Sequence, residues 1–205
     1  MHISDGVLPT PVIIGGLVAS AAILSWSARK TSADDLPKLA VVTSAFFVAT
    51  LIHVPLGPTS VHLLIPGLVG ILLGSGAFVS IFLGIVLQSL LFQFGGITAI
   101  GANAILMGVP ALICGWLFRH LKGHSPAQHT LAGAVTGGLG VVLSALILAA
   151  LLVTSGEDFF GVARIALYAH LPVMAIEAAI CGFAVSFLNK VKPDMLDIGS
   201  HPQEA

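Results

Sequence analysis

The chain has 205 residues, of which 57% are hydrophobic and only 8% are charged, and its mean hydropathy is +1.05. This composition excludes an ordinary soluble domain, and a formal net charge of −1 gives no indication of a nucleic-acid-binding surface. Because the apolar runs have the length of helices, we predict an all-α polytopic protein that crosses the lipid bilayer of the inner (plasma) membrane several times.

Six apolar runs follow one another along the chain, and we predict that they form seven transmembrane helices. The third run has 33 residues and would form a single helix about 50 Å long, against a hydrocarbon core of about 30 Å. A break at Gly74-Ser75-Gly76 would divide it into two short helices. The runs lie at about 8–28, 39–54, 62–94, 104–118, 131–153 and 162–188.

Loop charge predicts the orientation of these helices. With seven helices and the N-terminus outside, seven of the eight basic residues fall on the inner side and only Arg164 falls outside. With six helices, the basic loop at 119–122 would change sides. We therefore predict that residues 1–190 form one membrane-embedded domain and that 191–205 form a polar cytoplasmic tail. The inner basic residues are Arg29, Lys30, Lys38, Arg119, Lys122, Lys190 and Lys192.

The N-terminus carries a candidate metal chelate. No basic segment precedes the first apolar run and no small-residue cleavage site ends it, so we expect Met1 to be retained. Met1 and His2 then offer the α-amine, the His2 amide and the His2 imidazole. Around one cation these nitrogens close a five-membered and a six-membered ring in a single plane, which suits a divalent ion of the nickel or copper kind. The alternative is a disordered terminus with a chance histidine.

Two further histidines flank a turn that the composition predicts at 55–60. His62 is expected to open the third helix, which Thr59 or Ser60 would cap. As a metal ligand it would supply a fourth nitrogen, and as a structural residue it would bond to the turn backbone; beside a chelating N-terminus we favour the ligand. His53 could be a ligand or an interfacial side chain, but we favour a role in orienting a ligand or in structure.

The segment from Gly95 to Asn103 is predicted to be irregular, and it could fold back into the protein. Its backbone carbonyls and the Asn103 amide could line a binding site, or the segment could form only a tight turn. Cys114 and Cys181 lie inside apolar runs without a CxxC pattern, so we interpret them as small buried residues rather than as a disulfide or a metal site.

His170 and Glu177 are seven residues apart and share one face of the last predicted helix. Ionisable residues within a membrane segment suggest a functional site by default. We nevertheless favour a structural pair, because both lie deeper than the outer mouth, with Gln88 and Gln93 as plausible partners. No GxxxxGK[ST], HExxH or GxSxG motif occurs, so the Walker, zinc-protease and serine-hydrolase templates do not apply. We predict no catalytic residue and no organic cofactor.

Three segments resemble motifs of the CbiM/NikM family, the substrate-binding membrane subunits of energy-coupling factor (ECF) importers for cobalt and nickel. Residues 1–8, MHISDGVL, resemble its opening, Met-His-Ile-x-Asp/Glu-Gly followed by an apolar residue. Residues 55–63, PLGPTSVHL, contain a match to its Gly-x-Thr/Ser-x-x-His turn. Residues 92–103, FQFGGITAIGAN, resemble its Phe-x-x-Gly-Gly-(x)4-Gly-x-Asn loop. The resemblance covers essentially all of residues 1–190.

The resemblance implies seven helices, with the N-terminal segment inserted toward a metal site on the outer side. There the transported substrate, Co(II) or Ni(II), would be held by the α-amine of Met1, the amide and imidazole nitrogens of His2 and the imidazole of His62. The ligands alone leave cobalt and nickel open. We expect three further residues to orient these ligands or to line the site: His53, Ser60 and Asn103.

The resemblance also implies partners that this chain does not supply. They are an ECF transmembrane coupling protein, paired ATPase subunits and often a small accessory membrane subunit. The missing phosphate loop agrees with an ATPase on separate chains. Two alternatives remain at this stage: an intramembrane enzyme that uses His170 and Glu177 as acid and base, and a secondary metal transporter that works without ATP.

Overall fold

A computed structural model describes residues 2–56 and 59–196, and for residues 53–56 and 59–61 it describes the backbone alone. Met1, the side chains of His53 and Ser60 and the end of the expected tail therefore lie outside the description. The described chain is almost entirely helical. Its α-helices are α1 (Thr10–Lys30), α2 (Leu36–Thr50), α3 (Pro66–Leu73), α4 (Ala77–Phe92), α5 (Ile100–Leu121), α6 (Pro126–Val153) and α7 (Phe159–Val191).

Five stretches of the described chain are long and apolar enough to cross a membrane. They are α1, α5, α6, α7 and the continuous stretch Pro66–Phe92, which contains both α3 and α4. Helix α2 has 15 residues and is shorter than a typical span. The structure thus has seven α-helices in its described part, whereas length and hydropathy alone identify five candidate spans.

The third apolar run is broken where the glycines predicted a break. A short 3-10 turn, Gly74–Gly76, separates α3 from α4, and Gly74 has a φ of 53°, which glycine adopts without a steric penalty. His62, before α3, and Gln88, in the last turns of α4, both contact His2. The ends of the two segments that lie away from this turn are therefore neighbours, and the chain reverses direction at the turn.

The region between α2 and α3 corrects the sequence-based prediction. Helix α2 ends at Thr50 rather than Val54, and α3 begins at Pro66 rather than at His62. Strand β1 (His53–Leu56) pairs antiparallel with strand β2 (Thr59–His62), with His53 opposite His62. The expected helix cap from Thr59 or Ser60 is therefore wrong.

Proline accounts for the start of α3 and disfavours a helix α2 that continues to Val54. A proline disfavours the helical conformation at the residue before it, and Pro55 follows Val54 directly. Pro66 lacks an amide proton and fits the first turn of a helix but not its interior, so α3 starts there. The strand pairing supplies hydrogen bonds between the backbones of residues 53–56 and 59–62.

Three contacts bring the basic loops to one end of the bundle. Ser27 Oγ, near the end of α1, donates to the Ser75 carbonyl over 2.5 Å. Lys38 Nζ, at the start of α2, donates to the carbonyl of Met195 over 3.0 Å. His129 of α6 and Asn189 of α7 hydrogen-bond over 2.9 Å. The N-terminal segment, the β-hairpin and the α4–α5 connection lie at the opposite end.

Both cysteines are buried and neither forms a disulfide, as their apolar surroundings predicted. A last 3-10 turn, Pro193–Leu196, follows α7 and buries the Leu196 side chain.

Candidate functional site

The N-terminal segment before α1 folds into the end of the bundle, and Asn103 fixes it there. The Ile3 amide donates to Asn103 Oδ1 over 2.8 Å, and Asn103 Nδ2 donates back to the Ile3 carbonyl over 3.0 Å. The same Nδ2 lies 3.3 Å from the Gly95 carbonyl. Asn103 is only 1% exposed, in the first turn of α5. It therefore holds the backbone of the N-terminal segment against the α4–α5 connection.

A second anchor joins the N-terminal segment to the α4–α5 connection. The Asp5 carboxylate accepts hydrogen bonds from the Ile97 amide, the Thr98 amide and the Thr98 hydroxyl. These bonds, above all the one from the Thr98 side chain, lower the pKa of Asp5. Because the folded pKa is depressed, the anchor is present at neutral pH and is lost only as the pH falls through that lowered pKa.

Two adjacent glycines make room for the N-terminal segment. Gly95 and Gly96 have φ angles of 83° and 73°, which side chains rarely adopt. A Cβ on Gly95 would lie 2.7 Å from Asn103 Nδ2 and 3.0 Å from His2 Cβ. A Cβ on Gly96 would lie 2.2 Å from the Asp5 carboxyl carbon. The absence of side chains at Gly95 and Gly96 therefore lets the segment that carries His2 pack against the α4–α5 connection.

The packing of this segment brings His2 into contact with His62, although they are sixty positions apart in sequence. The two imidazole rings stack with centroids 5.1 Å apart and planes 24° apart. Phe94 lies on the same ring of His2, with centroids 6.3 Å apart. The structure thus joins the two histidine side chains that the sequence singled out as metal ligands.

A chain of buried hydrogen bonds orients the His2 ring. His2 Nε2 lies 2.8 Å from Gln88 Oε1, and Gln88 Nε2 donates to Thr50 Oγ1. The Thr50 hydroxyl itself donates to the carbonyls of Phe46 and Phe47. Because that proton is used, Thr50 accepts from the Gln88 amide, and the Gln88 oxygen faces His2.

The prediction that Gln88 partners His170 or Glu177 is therefore wrong. Gln88 is fully buried within α4, and it bonds to His2 and Thr50 instead. A glutamine inside an apolar run needs partners for its amide, which marks it as notable from sequence. Sequence spacing could not say that its partner is the second residue of the chain.

His62 ends strand β2 and is 3% exposed. Its Nδ1 lies 3.0 Å from the Leu63 carbonyl, which can only accept, so Nδ1 carries the proton and Nε2 carries a lone pair. Burial lowers the pKa of His62, the bond to Leu63 offsets part of this effect, and the nearby His170 lowers the pKa further. The ring is accordingly neutral at pH 7, the form that binds metals.

A cavity of about 680 Å³ lies against these groups. Its walls come from the N-terminal segment, the α4–α5 connection, the last turns of α6 and the first turns of α7. Most of the wall is apolar, and the polar side chains among its lining residues are few. They are His2, Ser4, His62, Gln93 and His170.

His170 and Glu177 do not form a pair with each other in the described structure. His170 Nδ1 donates to the Ala166 carbonyl one turn earlier, whereas Glu177 Oε1 accepts from the Leu64 amide. His170 lines the cavity beside His2 and His62 and so lies nearer to the site than predicted. Glu177 holds the chain two residues after His62. The arrangement gives no acid–base pair for the enzyme alternative.

Among the side chains that the structure describes, which do not include those of residues 53–61, no group of three or more His, Cys, Asp or Glu is placed to hold a metal ion. The Met1 amine lies outside the described residues. The hairpin register places the His53 backbone opposite His62 and the Ser60 backbone opposite Pro55.

Comparison with known proteins agrees with this architecture. Residues 2–195 match the model of the CbiM family, described as the cobalt uptake substrate-specific transmembrane region. The chain is 34% identical over 200 residues to a Haemophilus influenzae protein named as a metal transport protein, with 96% of this chain and 97% of that protein aligned.

Two further relatives carry the names of particular metals. A cobalt transport protein CbiM of Sorangium cellulosum is 29% identical over 96% of this chain and 95% of its own length. A protein of Archaeoglobus fulgidus named as a fused nickel transport protein NikMN is 29% identical over 98% of this chain and 70% of its own length. A crystal structure of a transition metal transporter superposes with a TM-score of 0.75 at 26% identity, covering 93% of each chain.

Proposed function

The chain belongs to the CbiM family of cobalt-uptake transmembrane proteins, and from this premise we propose that it captures the metal at the end of the bundle that holds His2 and His62. It is a multi-pass membrane component of cobalt or nickel uptake rather than an enzyme. The observation that carries the proposal is the docking of the N-terminal segment, which stacks His2 on His62.

The proposed ligands are four nitrogens: the Met1 α-amine, the His2 amide, the His2 imidazole and the His62 imidazole. Hydrogen bonding gives the two rings suitable tautomers. The amide oxygen of Gln88 can only accept, so His2 Nε2 carries the proton and His2 Nδ1 carries the lone pair. Nδ1 is the ring nitrogen that closes a six-membered chelate with the residue's own amide, and the lone pair of His62 is on Nε2.

The remaining site residues hold these ligands in place. Asn103 and Asp5 bind the N-terminal segment from two sides, and Gln88 orients the His2 ring. We propose that His53 and Ser60 support His62 through the β-hairpin, in which His53 is its register partner. Partners of this kind fix the orientation of a ligand and raise its metal affinity.

We further propose seven membrane crossings, with the N-terminus outside and the C-terminus inside, in a single domain over residues 1–190 with a polar tail. Two observations support this orientation. The basic ends of α1, α5 and α7 lie at one end of the bundle, and the proposed site lies at the other end. Positive charge is retained on the inner side of membranes, so the site faces outward.

The uptake step would need partners on other chains: an ECF transmembrane coupling protein, paired ATPase subunits and a small accessory membrane subunit. The chain contains no phosphate-binding loop, which agrees with an ATPase on separate chains. No organic cofactor is required, since Co(II) or Ni(II) is the transported substrate.

Blocking the α-amine tests the chelate without altering any side chain. A short N-terminal extension converts the amine of Met1 into an amide, and we expect Ni(II) affinity to fall by more than about 100-fold, since even partners outside the ligand set contribute 10–100-fold. The same extension placed after Ala205 should leave affinity unchanged. Isothermal titration of purified protein measures both. Equal affinities for the two forms would refute the proposed site.

A second pair of variants tests the side-chain ligand. His62→Ala should lose tight binding to a similar extent, whereas His124→Ala, which changes an exposed histidine near the opposite end, should bind normally. If both variants bind metal like the wild type, His62 is not a ligand.

A further inference from the structure

Glu177 of α7 is a buried carboxyl that the proposed chelate does not use. It is 2% exposed, and an ionisable residue within a membrane segment is costly and suggests a function by default. Its Oε1 atom accepts from the Leu64 amide, and the carboxyl also interacts with the Ile65 amide. Its Oε2 atom has no hydrogen-bond partner in the part of the chain that the structure describes. The hydrogen bonding of this carboxyl is therefore directed to the backbone just after His62.

The Leu64 amide belongs to the same peptide group as the Leu63 carbonyl. That carbonyl accepts a hydrogen bond from His62 Nδ1 over 3.0 Å. The peptide bond is trans, so the group is planar and its N–H and C=O are directed to opposite sides. One rigid plane therefore has the Glu177 carboxyl bonded at one edge and the His62 imidazole bonded at the other.

The backbone that follows this peptide group is held in an unusual conformation. Ile65 has a φ of 40°, in the left-handed region that a β-branched residue rarely adopts. Such a conformation persists only where the surrounding structure fixes it. Helix α3 starts at the next residue, Pro66, and Ile65 provides no side-chain cap. Glu177 supplies a hydrogen-bond acceptor from another helix at this point.

We propose that Glu177 is a positioning residue of the metal site, which acts through the Leu63–Leu64 peptide group to fix the orientation and the tautomer of the His62 ring. In many metal sites a carboxylate bonds directly to the second nitrogen of a histidine ligand. Here a peptide group lies between the carboxyl and the imidazole, and hydrogen bonds in such a chain polarise one another. This inference rests on the proposed function and extends the site to α7.

Three substitutions of Glu177 test this role. Glu177→Gln keeps an oxygen acceptor at the same distance from the backbone and should bind Ni(II) within about threefold of the wild type. Glu177→Asp shortens the side chain by a methylene, and Glu177→Met removes the acceptor at a similar volume. Both should bind about 10–100-fold more weakly, the usual effect of losing a group that orients a metal ligand. Isothermal titration of the full-length protein measures all three affinities.

The visible spectrum of bound Ni(II) separates positioning from a contribution to the fold. Ligand-field absorption reports the geometry and the type of ligand around the ion. If the His62 ring is misplaced, the Ni(II) complex of Glu177→Met should have the spectrum of the His62→Ala complex. A variant that is only less stable should bind Ni(II) with the wild-type spectrum.

Thr43→Val is the matched control for the loss of a buried hydrogen bond. Thr43 Oγ1 donates to Ser80 Oγ over 2.9 Å between α2 and α4, and both residues are buried. The control should lower the temperature of thermal unfolding, as the Glu177 variants do, and leave the affinity and the spectrum unchanged. If Glu177→Met does not fold, the comparison of Glu177→Asp with Glu177→Gln decides.

Wild-type affinity and spectrum in a folded Glu177→Asp or Glu177→Met variant would overturn the inference. So would a reduced affinity with an unchanged spectrum, and so would a Glu177→Gln variant that binds as weakly as Glu177→Met. Failure of the proposed function is distinguishable, because it appears as normal tight binding in the N-terminally extended and His62→Ala proteins. Failure of the Glu177 inference alone leaves binding weak in both of those proteins.

Discussion

The imidazole of His2 donates from Nε2 to the side-chain oxygen of Gln88 over 2.8 Å, and this bond places the proton of the neutral His2 ring on Nε2. Gln88 is itself oriented by Thr50, whose hydroxyl proton is already used by the backbone of α2. A buried residue in the last turns of α4 therefore determines the tautomer of the second residue in the chain.

Replacing Gln88 should lower metal affinity without unfolding the protein. Gln88→Met keeps the volume of the side chain but removes the acceptor for His2, so we expect Ni(II) affinity to fall by about 10–100-fold, the usual cost of losing a group that orients a ligand. Gln88→Glu keeps an oxygen acceptor at the same place and should bind more tightly than the methionine variant. Isothermal titration measures the Ni(II) affinity of both variants. Equal affinities would contradict the role of Gln88 in orienting the His2 ring.

Asn103 should matter because it holds the N-terminal segment before any metal is bound. Asn103→Ala leaves the buried Ile3 amide and carbonyl without partners, which costs about 1–3 kcal/mol per group and loosens the segment. We expect at least tenfold weaker Ni(II) binding and faster acylation of the α-amine in metal-free protein. Asn189→Ala, at the opposite end of the bundle, is the matched control. If the α-amine is acylated no faster in Asn103→Ala than in the wild type, Asn103 does not hold the N-terminal segment in place.

Gly96 should not tolerate a side chain. In Gly96→Ala the new Cβ would lie 2.2 Å from the Asp5 carboxyl carbon, at a φ of 73° that alanine disfavours. The N-terminal segment must then move, and Ni(II) affinity should fall about tenfold or more, by the same loss of ligand support. Gly161→Ala has no atom within 4 Å of its new Cβ and should bind normally. Similar affinities for the two variants would show that metal binding does not depend on the absence of a side chain at Gly96.

The orientation in the membrane can be tested with single cysteines at exposed loop positions. Glu157→Cys, between α6 and α7, should react with an impermeant thiol reagent added outside intact cells, whereas His124→Cys, between α5 and α6, should not. The native Cys114 and Cys181 are buried and should give little background labelling. Labelling at position 124 but not at 157 would reverse the proposed orientation.

Composition and hydropathy were sufficient to predict a helical membrane protein, because lipid leaves a chain of this composition few alternatives. The glycines at 74–76 also allowed the break between α3 and α4 to be predicted from the mismatch between run length and membrane thickness. The N-terminal Met-His pair and His62 were identifiable from their chemistry and from the resemblance to a known family.

Tertiary structure decided how these parts meet. The β-hairpin before α3 was not predicted, because a short strand is stable only against its partner and the sequence between 53 and 62 shows no long periodic pattern. Three features join residues that are far apart in sequence. They are the bond from His2 to Gln88, the hydrogen bonds of Asn103 to Ile3, and the position of His170 beside the cavity. Local pattern reports which face of a helix is apolar, but the packing of helices determines which polar groups on different segments come within hydrogen-bonding distance.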